Sequence, residues 1–345
     1  MRSRIPFRSR SPGRPGLNRQ GFTLVELCVV VLILVVVFGA VLPLLTSRSH
    51  EGSGRVRCAS NLRQIGQGIQ MYANENKGNF PRTVYDGVGG PPTEYTASSA
   101  PNPFAPGGPG PNDVTAALFL LLRTQDLTSE VFVCPYSPAE RWDSGGKDVR
   151  QVSNFPSGQY LSYSYINPYP SEAALKAGFK LNYTLTSDFA IAADINPGGP
   201  GVTSVTPTSS RKEMAPANTN NHGGDGQNVL YADGHVEFQN TPFCGMLRGT
   251  APASQYRDNI YTCGAGYGTG LQGAEVTVKG ASADEKDSIL LPVGIYGPTG
   301  STNAPPGPAT ASHYAVLGAA LMFGVIVVVA TLVRRTDKAP PKQEV

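Results

Sequence analysis

From Phe22 to Leu45 the chain is apolar, and its one charged residue there is Glu26. As a helix this run rises about 36 Å, more than the ~30 Å hydrocarbon core of a bilayer. A carboxylate in such surroundings costs about 2.5–3.5 kcal/mol, so Glu26 is expected to have a specific task and a partner. Residues 1–21 carry six arginines and no acid, interspersed with Pro, Ser and Gly. That composition suits a targeting leader better than a folded element.

The leader also distorts the overall charge. The chain has 28 basic and 25 acidic residues, a net charge of +3. Without the leader 22 basic residues remain against 25 acidic ones, a balance of −3. A body of that charge lacks the basic footprint of a nucleic-acid binder. Gly and Pro together supply 70 of the 345 residues, so much of the chain is expected to be loop.

The segment Gly21-Phe22-Thr23-Leu24-Val25-Glu26 resembles the class III signal of type IV prepilins and type II secretion pseudopilins. The resemblance implies a cut by a prepilin peptidase between Gly21 and Phe22, with methylation of the new N-terminal Phe22. It also implies that Glu26 pairs with the N-terminal amine of a neighbouring subunit. The physical chemistry agrees, because a carboxylate and an ammonium in apolar surroundings are tolerable only together. Pro43 falls where pilins often carry a helix-kinking proline.

Residues 55–77 read as an amphipathic continuation of the same helix. Cys58, Leu62, Ile65, Ile69 and Tyr72 share one face at helical spacing, and Gly78 and Pro81 follow as a stop. The stretch Arg57 to Gly66, with Met71-Tyr72-Ala73, Phe80-Pro81 and Cys134-Pro135, is similar to pilin-like proteins abundant in planctomycetes. Those chains often end in His, nine residues, then Asp-Gly. Here ten residues separate His222 from Asp233-Gly234. The fold expected is therefore α+β and pilin-like. A long N-terminal membrane-spanning helix packs on an antiparallel β-sheet head, and a C-terminal transmembrane helix is added.

The expected segments are a basic leader 1–21, a first transmembrane helix 22–45 and the extracytoplasmic part of the long helix 46–82. A Gly/Pro-rich loop 83–112 follows, since 13 of residues 87–112 are Gly or Pro. The β-rich head occupies 113–300, opening with a short helix capped by Asp113. Residues 131–135 are a buried strand or turn, and 158–166 and 180–194 are strand candidates. A linker 301–313, a second transmembrane helix 314–333 and a cytoplasmic tail 334–345 complete the chain. The positive-inside rule places both basic ends in the cytoplasm and the head in the periplasm.

Val229 to Phe238 read as a β-hairpin turning on Asp233-Gly234, with Tyr231 opposite Val236 and Val229 opposite Phe238. Polar residues gather around it. His222, Asp225, Asp233 and His235 form a candidate metal set, with calcium the ion implied by resemblance to pseudopilins; structural roles are the alternative. Outside the first apolar run lie Cys58, Cys134, Cys244 and Cys263, which allow three pairings. Cys58 with Cys134 would tie a helix to the body, and Cys244 with Cys263 would close a short loop.

No G-x-S-x-G, H-E-x-x-H or phosphate loop occurs, so no enzymatic activity and no cofactor are expected. The expected function is a pilin-like or pseudopilin-like structural membrane protein of a type II secretion or type IV pilus-like system. Its expected partners are the prepilin peptidase, other pilin-like subunits or secretion assembly proteins, and the membrane. An alternative is a permanently membrane-anchored envelope protein that uses the signal only for insertion. A periplasmic metal-dependent enzyme would rest on the His/Asp cluster alone.

Overall fold

The computed structural model describes residues 24–249, 255–264 and 277–295, without the side chains of 26, 36 and 39–53. They divide into a short N-terminal unit ending at Ser47 and a larger unit beginning at Arg48. Helix α1, Leu24–Glu75, is 52 residues long and passes through both. Gly21 and Phe22, the linker 301–313, the segment 314–333 and the tail 334–345 lie outside the described residues, as does the side chain of Glu26.

The transmembrane expectation is overturned. Among the described residues no helix is long and apolar enough to cross a membrane. Much of the length of α1 comes from its polar second half. The two-span inner-membrane topology, and with it the periplasmic placement of the head, are corrected on this finding.

Within the larger unit the helical spacing acts as expected. Cys58, Leu62, Ile65 and Ile69 are fully buried and Tyr72 nearly so. The helix stops where Lys77 and Gly78 both turn to positive φ, +56° and +83°. Glycine takes that conformation without the Cβ penalty, which is why the stop falls there. Gly66 permits a close approach: a Cβ at that position would stand 2.8 Å from Leu230 Cδ1.

The helix covers a five-stranded antiparallel sheet. Its strands are β1 Tyr163–Ile166, β2 Ala190–Asp194, β3 Gln227–Tyr231, β4 Val236–Gln239 and, far along the chain, β7 Leu290–Leu291. The order is β4-β3-β2-β1-β7. Every position of β1, β2 and β3 is buried, as expected for strands covered on both faces. A separate antiparallel pair joins β5 Phe243–Arg248 to β6 Tyr256–Asn259. Helix α2, Val114–Thr124, is buried from Val114 to Leu122. Asp113 caps it, accepting a hydrogen bond from the Ala116 N–H, and also accepts from Thr96, Thr115 and Asn154. A buried carboxylate needs that many donors to replace water.

The hairpin forms, but one residue out of the expected register. Leu230 faces Val236, Val229 faces Glu237 and Asn228 faces Phe238. The loop holds three residues, Ala232 to Gly234, closed by Gly234 N–H donating to Tyr231 O and Tyr231 N–H to His235 O. Gly234, at φ +91°, takes the left-handed place that three-residue hairpin loops require. A slip of one moves side chains to the other face, so Phe238 lies beside Asn228 and not Val229.

Candidate functional site

The site grows from Asp194, at the end of β2. Its five-residue strand is otherwise Ala and Ile, and the carboxylate is fully buried. Burying a carboxylate is costly unless hydrogen bonds replace its water. Asp194 Oδ2 accepts from the Asn228 N–H at 2.7 Å and from Asn228 Nδ2 at 3.0 Å. Its Oδ1 accepts from Asn221 Nδ2 at 3.2 Å, and its backbone carbonyl from the Tyr261 hydroxyl at 2.8 Å. The remaining neighbour is His222, whose Nε2 lies 3.0 Å from Oδ2; the two side chains are 0% and 3% exposed.

Local sequence places His222. Residues Asn220–His222 make one 3₁₀ turn. Thr219 caps it through its side chain, and Gly223 closes it at φ +64°. The ring meets the edge of Phe238, itself roofed by the Arg55 guanidinium at 4.4 Å. Two buried tyrosines flank Asp194. Burial pushes the Tyr163 and Tyr261 hydroxyls well above their usual range, and the nearby Asp194 charge adds to it, against a smaller opposing hydrogen bond from Asn61 to Tyr163. Both stay protonated, and Tyr261 stays a donor.

Beside this pair a disulfide joins Cys58 of α1 to Cys134, at a sequence separation of 76. The two sulfurs, one Asp194 oxygen and one His222 nitrogen all lie within 4.8 Å of one another. Four segments of chain, separated by up to 164 positions, bring together a carboxylate, an imidazole and two sulfurs.

The four residues expected to form a metal set do not converge. His222 belongs to the site just described. Asp225 instead pairs with Arg55 at 2.7 Å and Arg211 at 3.3 Å. Asp233 and His235 pair with each other across the exposed hairpin loop, Oδ1 to Nδ1 at 2.5 Å. Asp225 has two guanidinium partners and Asp233 a ring nitrogen of its own loop, and the three-residue loop carries Asp233 and His235 out to solvent. Asp194 and Asn228 were missed by sequence reasoning. A usable signal was present: a single acid ending the apolar run Phe189-Ala190-Ile191-Ala192-Ala193 must be buried with partners.

Cys244 and Cys263 are free and buried, so the loop bridge expected between them is not made. Each thiol is engaged elsewhere: Cys244 Sγ donates to Pro242 O, and Cys263 Sγ lies 3.0 Å from Thr277 Oγ1. Burial pushes both thiols up, which keeps them protonated and unreactive.

A second buried cluster fastens the β5–β6 pair to residues 277–295. Arg248 Nη1 donates to Asp284 at 2.7 Å and lies 3.4 Å from Asp287 through Nη2. Its Nε is 2.7 Å from Asp258, a charge contact without hydrogen-bond alignment. Asp258 and Asp287 are held further by the N–H groups of Ser288, Ala283 and Gly264. This cluster is a structural staple whose positive centre is the arginine.

No family model, no curated protein and no solved structure matches this chain.

Proposed function

We propose that this chain is a pilin-like structural subunit, cut by a prepilin peptidase between Gly21 and Phe22 and methylated on the new amine of Phe22. The observation that carries the reading is helix α1. It runs from Leu24, the first described residue, to Glu75, and packs the face of Cys58, Leu62, Ile65 and Ile69 into an antiparallel α+β head.

The first part of α1 supports the same reading. Leu24, Val25, Leu27, Ile33, Val35 and Phe38 are all more than half exposed. A continuous apolar surface of this kind is an interaction surface. In a pilin-like assembly the same helix of neighbouring subunits covers it. Glu26 then lies in apolar surroundings and needs a cation, and the amine of a neighbour's Phe22 supplies one. The partners are accordingly the peptidase and further pilin-like subunits or secretion-assembly proteins.

Glu26→Gln separates processing from assembly. Cleavage at Gly21 should continue, because the bond cut lies outside the pair. Assembly should fail, because an unpaired buried charge costs about 3–5 kcal/mol, or two or more orders of magnitude in association. Cross-linking and sedimentation of the processed protein measure it. Assemblies as abundant as those of the unaltered chain would count against this role for Glu26.

A further inference from the structure

We propose that Cys58, Cys134, Asp194 and His222 form a Zn²⁺ site that opens when the Cys58–Cys134 disulfide is reduced. Helix α1 would then be tied to the head in two interchangeable ways, by a covalent bond or by a shared metal ion.

A disulfide needs no imidazole and no carboxylate beside it. Yet His222 and Asp194 are buried against this one, at the cost of desolvating an ionisable pair. Two thiolates, one imidazole and one carboxylate are a four-donor set suited to zinc, which takes sulfur, nitrogen and oxygen ligands in a tetrahedron. A harder ion such as calcium would prefer oxygen donors throughout.

Donors bound to one tetrahedral Zn²⁺ at about 2.0–2.3 Å lie roughly 3.3–3.8 Å apart. The four donor atoms already lie within 4.8 Å of one another. Breaking the sulfur–sulfur bond lets the sulfurs separate, while the wider spans close by about 1 Å, which is a side-chain adjustment. The ion replaces the single His222–Asp194 contact. The amide donors from Asn228 and Asn221 remain on Asp194 as outer-shell bonds that fix its orientation.

The segments that carry both cysteines border one open surface cleft of about 480 Å³, lined by Arg57, Ser60 and Asn61 on one side and Val133 and Pro135 on the other. An external dithiol is the reductant. One of its thiolates attacks a cysteine sulfur and forms a mixed disulfide; its second thiolate displaces that bond and closes the reagent's own disulfide. Two electrons and two protons pass to Cys58 and Cys134, which become thiols. Binding Zn²⁺ then releases those two protons to solvent.

The 345-residue chain is reduced with a phosphine, freed of reductant without air, and titrated with Zn²⁺ against a chromophoric chelator. Co²⁺ serves as a spectroscopic substitute. One Zn²⁺ per reduced chain is expected and none per oxidised chain, with thiolate-to-cobalt charge-transfer absorption only after reduction. Asp194→Asn and His222→Ala should each weaken binding by more than the roughly 10–100-fold that outer-shell changes cost. Circular dichroism is recorded alongside. If the reduced chain loses structure, Zn²⁺ must restore it, since binding and folding are then one event. The proposal is overturned if the reduced chain takes up no stoichiometric zinc, if Zn²⁺ fails to restore a lost fold, or if binding is indifferent to both substitutions.

Discussion

Replacing both cysteines of the bridge, Cys58→Ala with Cys134→Ala, should lower the unfolding free energy of the oxidised protein by about 4.5 kcal/mol. The bond closes a loop of 76 residues, and the chain-entropy relation for a loop of that length gives this value at 25 °C. Measured losses for native bridges run from about 2 to 5 kcal/mol, so the result should fall at the upper end. The effect is large because of what is tied. Cys58 is on the buried face of α1, and Cys134 follows Phe132 in the core beneath it. Without the bridge the helix is held by Leu62, Ile65 and Ile69 and by the hydrogen bonds from Asn61 to Val133 O and Gln70 to Ala232 O. Urea unfolding of oxidised chains measures it. A loss below about 1 kcal/mol would show that packing alone fixes the helix and that the covalent tie is redundant.

Arg248→Ala should be of similar severity and should depend on pH. The arginine is 5% exposed and is the cation for Asp258, Asp284 and Asp287, of which Asp258 and Asp287 are buried. Removing one member of a buried ion cluster costs about 3–5 kcal/mol, because the remaining charges are left uncompensated. The pH dependence follows from the carboxylates. Burial pushes the Asp258 carboxyl well above its usual range, and repulsion from Asp287 adds to it, against the pull of Arg248. Burial likewise raises Asp287, to about 6, with Arg248 again opposing. A carboxyl whose folded value is raised above the unfolded 3.8 holds its proton better in the native state. Its contribution is therefore present at low pH and is lost as pH rises through the raised value. With Arg248 gone the values rise further. The variant's deficit should then be smaller near about pH 5 than near about pH 7.5. Denaturation series at the two pH values, each against the unaltered protein, check both size and sign. A deficit that grows on acidification would mean that the carboxylates are not the source of the cost.

The two parts of the head differ in how far they could be read from sequence, and the difference is one of range. The buried face of α1 repeats within single turns, so Cys58, Leu62, Ile65 and Ile69 announced it. The Asp113 cap is equally local, since the N–H it accepts from lies three residues away. The hairpin was legible as two strands around Asp233-Gly234, but its register was not. The choice between a two- and a three-residue loop turns on the backbone conformation of Gly234, which composition does not specify. Strand β7 is two residues long and pairs with β1 about 125 positions earlier, too short for periodicity to register. The site itself was the least legible. His222 was noticed for its motif, whereas Asp194 acquires meaning only through His222, Asn228, Cys58 and Cys134, 28 to 136 positions away. Buried polar groups are partnered by the fold, and strand pairing determines which partners arrive. The membrane reading rested on the hydropathy of 22–45 alone, and among the described residues no helix is long and apolar enough to cross a membrane.

The central claim, a pilin-type subunit matured at Gly21, is tested most directly by the intact mass and N-terminal peptide of the protein isolated from cells that carry a prepilin peptidase. The account predicts a chain beginning at Phe22, heavier by one methyl group on its N-terminal amine. A chain that retains residues 1–21, or begins elsewhere, would contradict it.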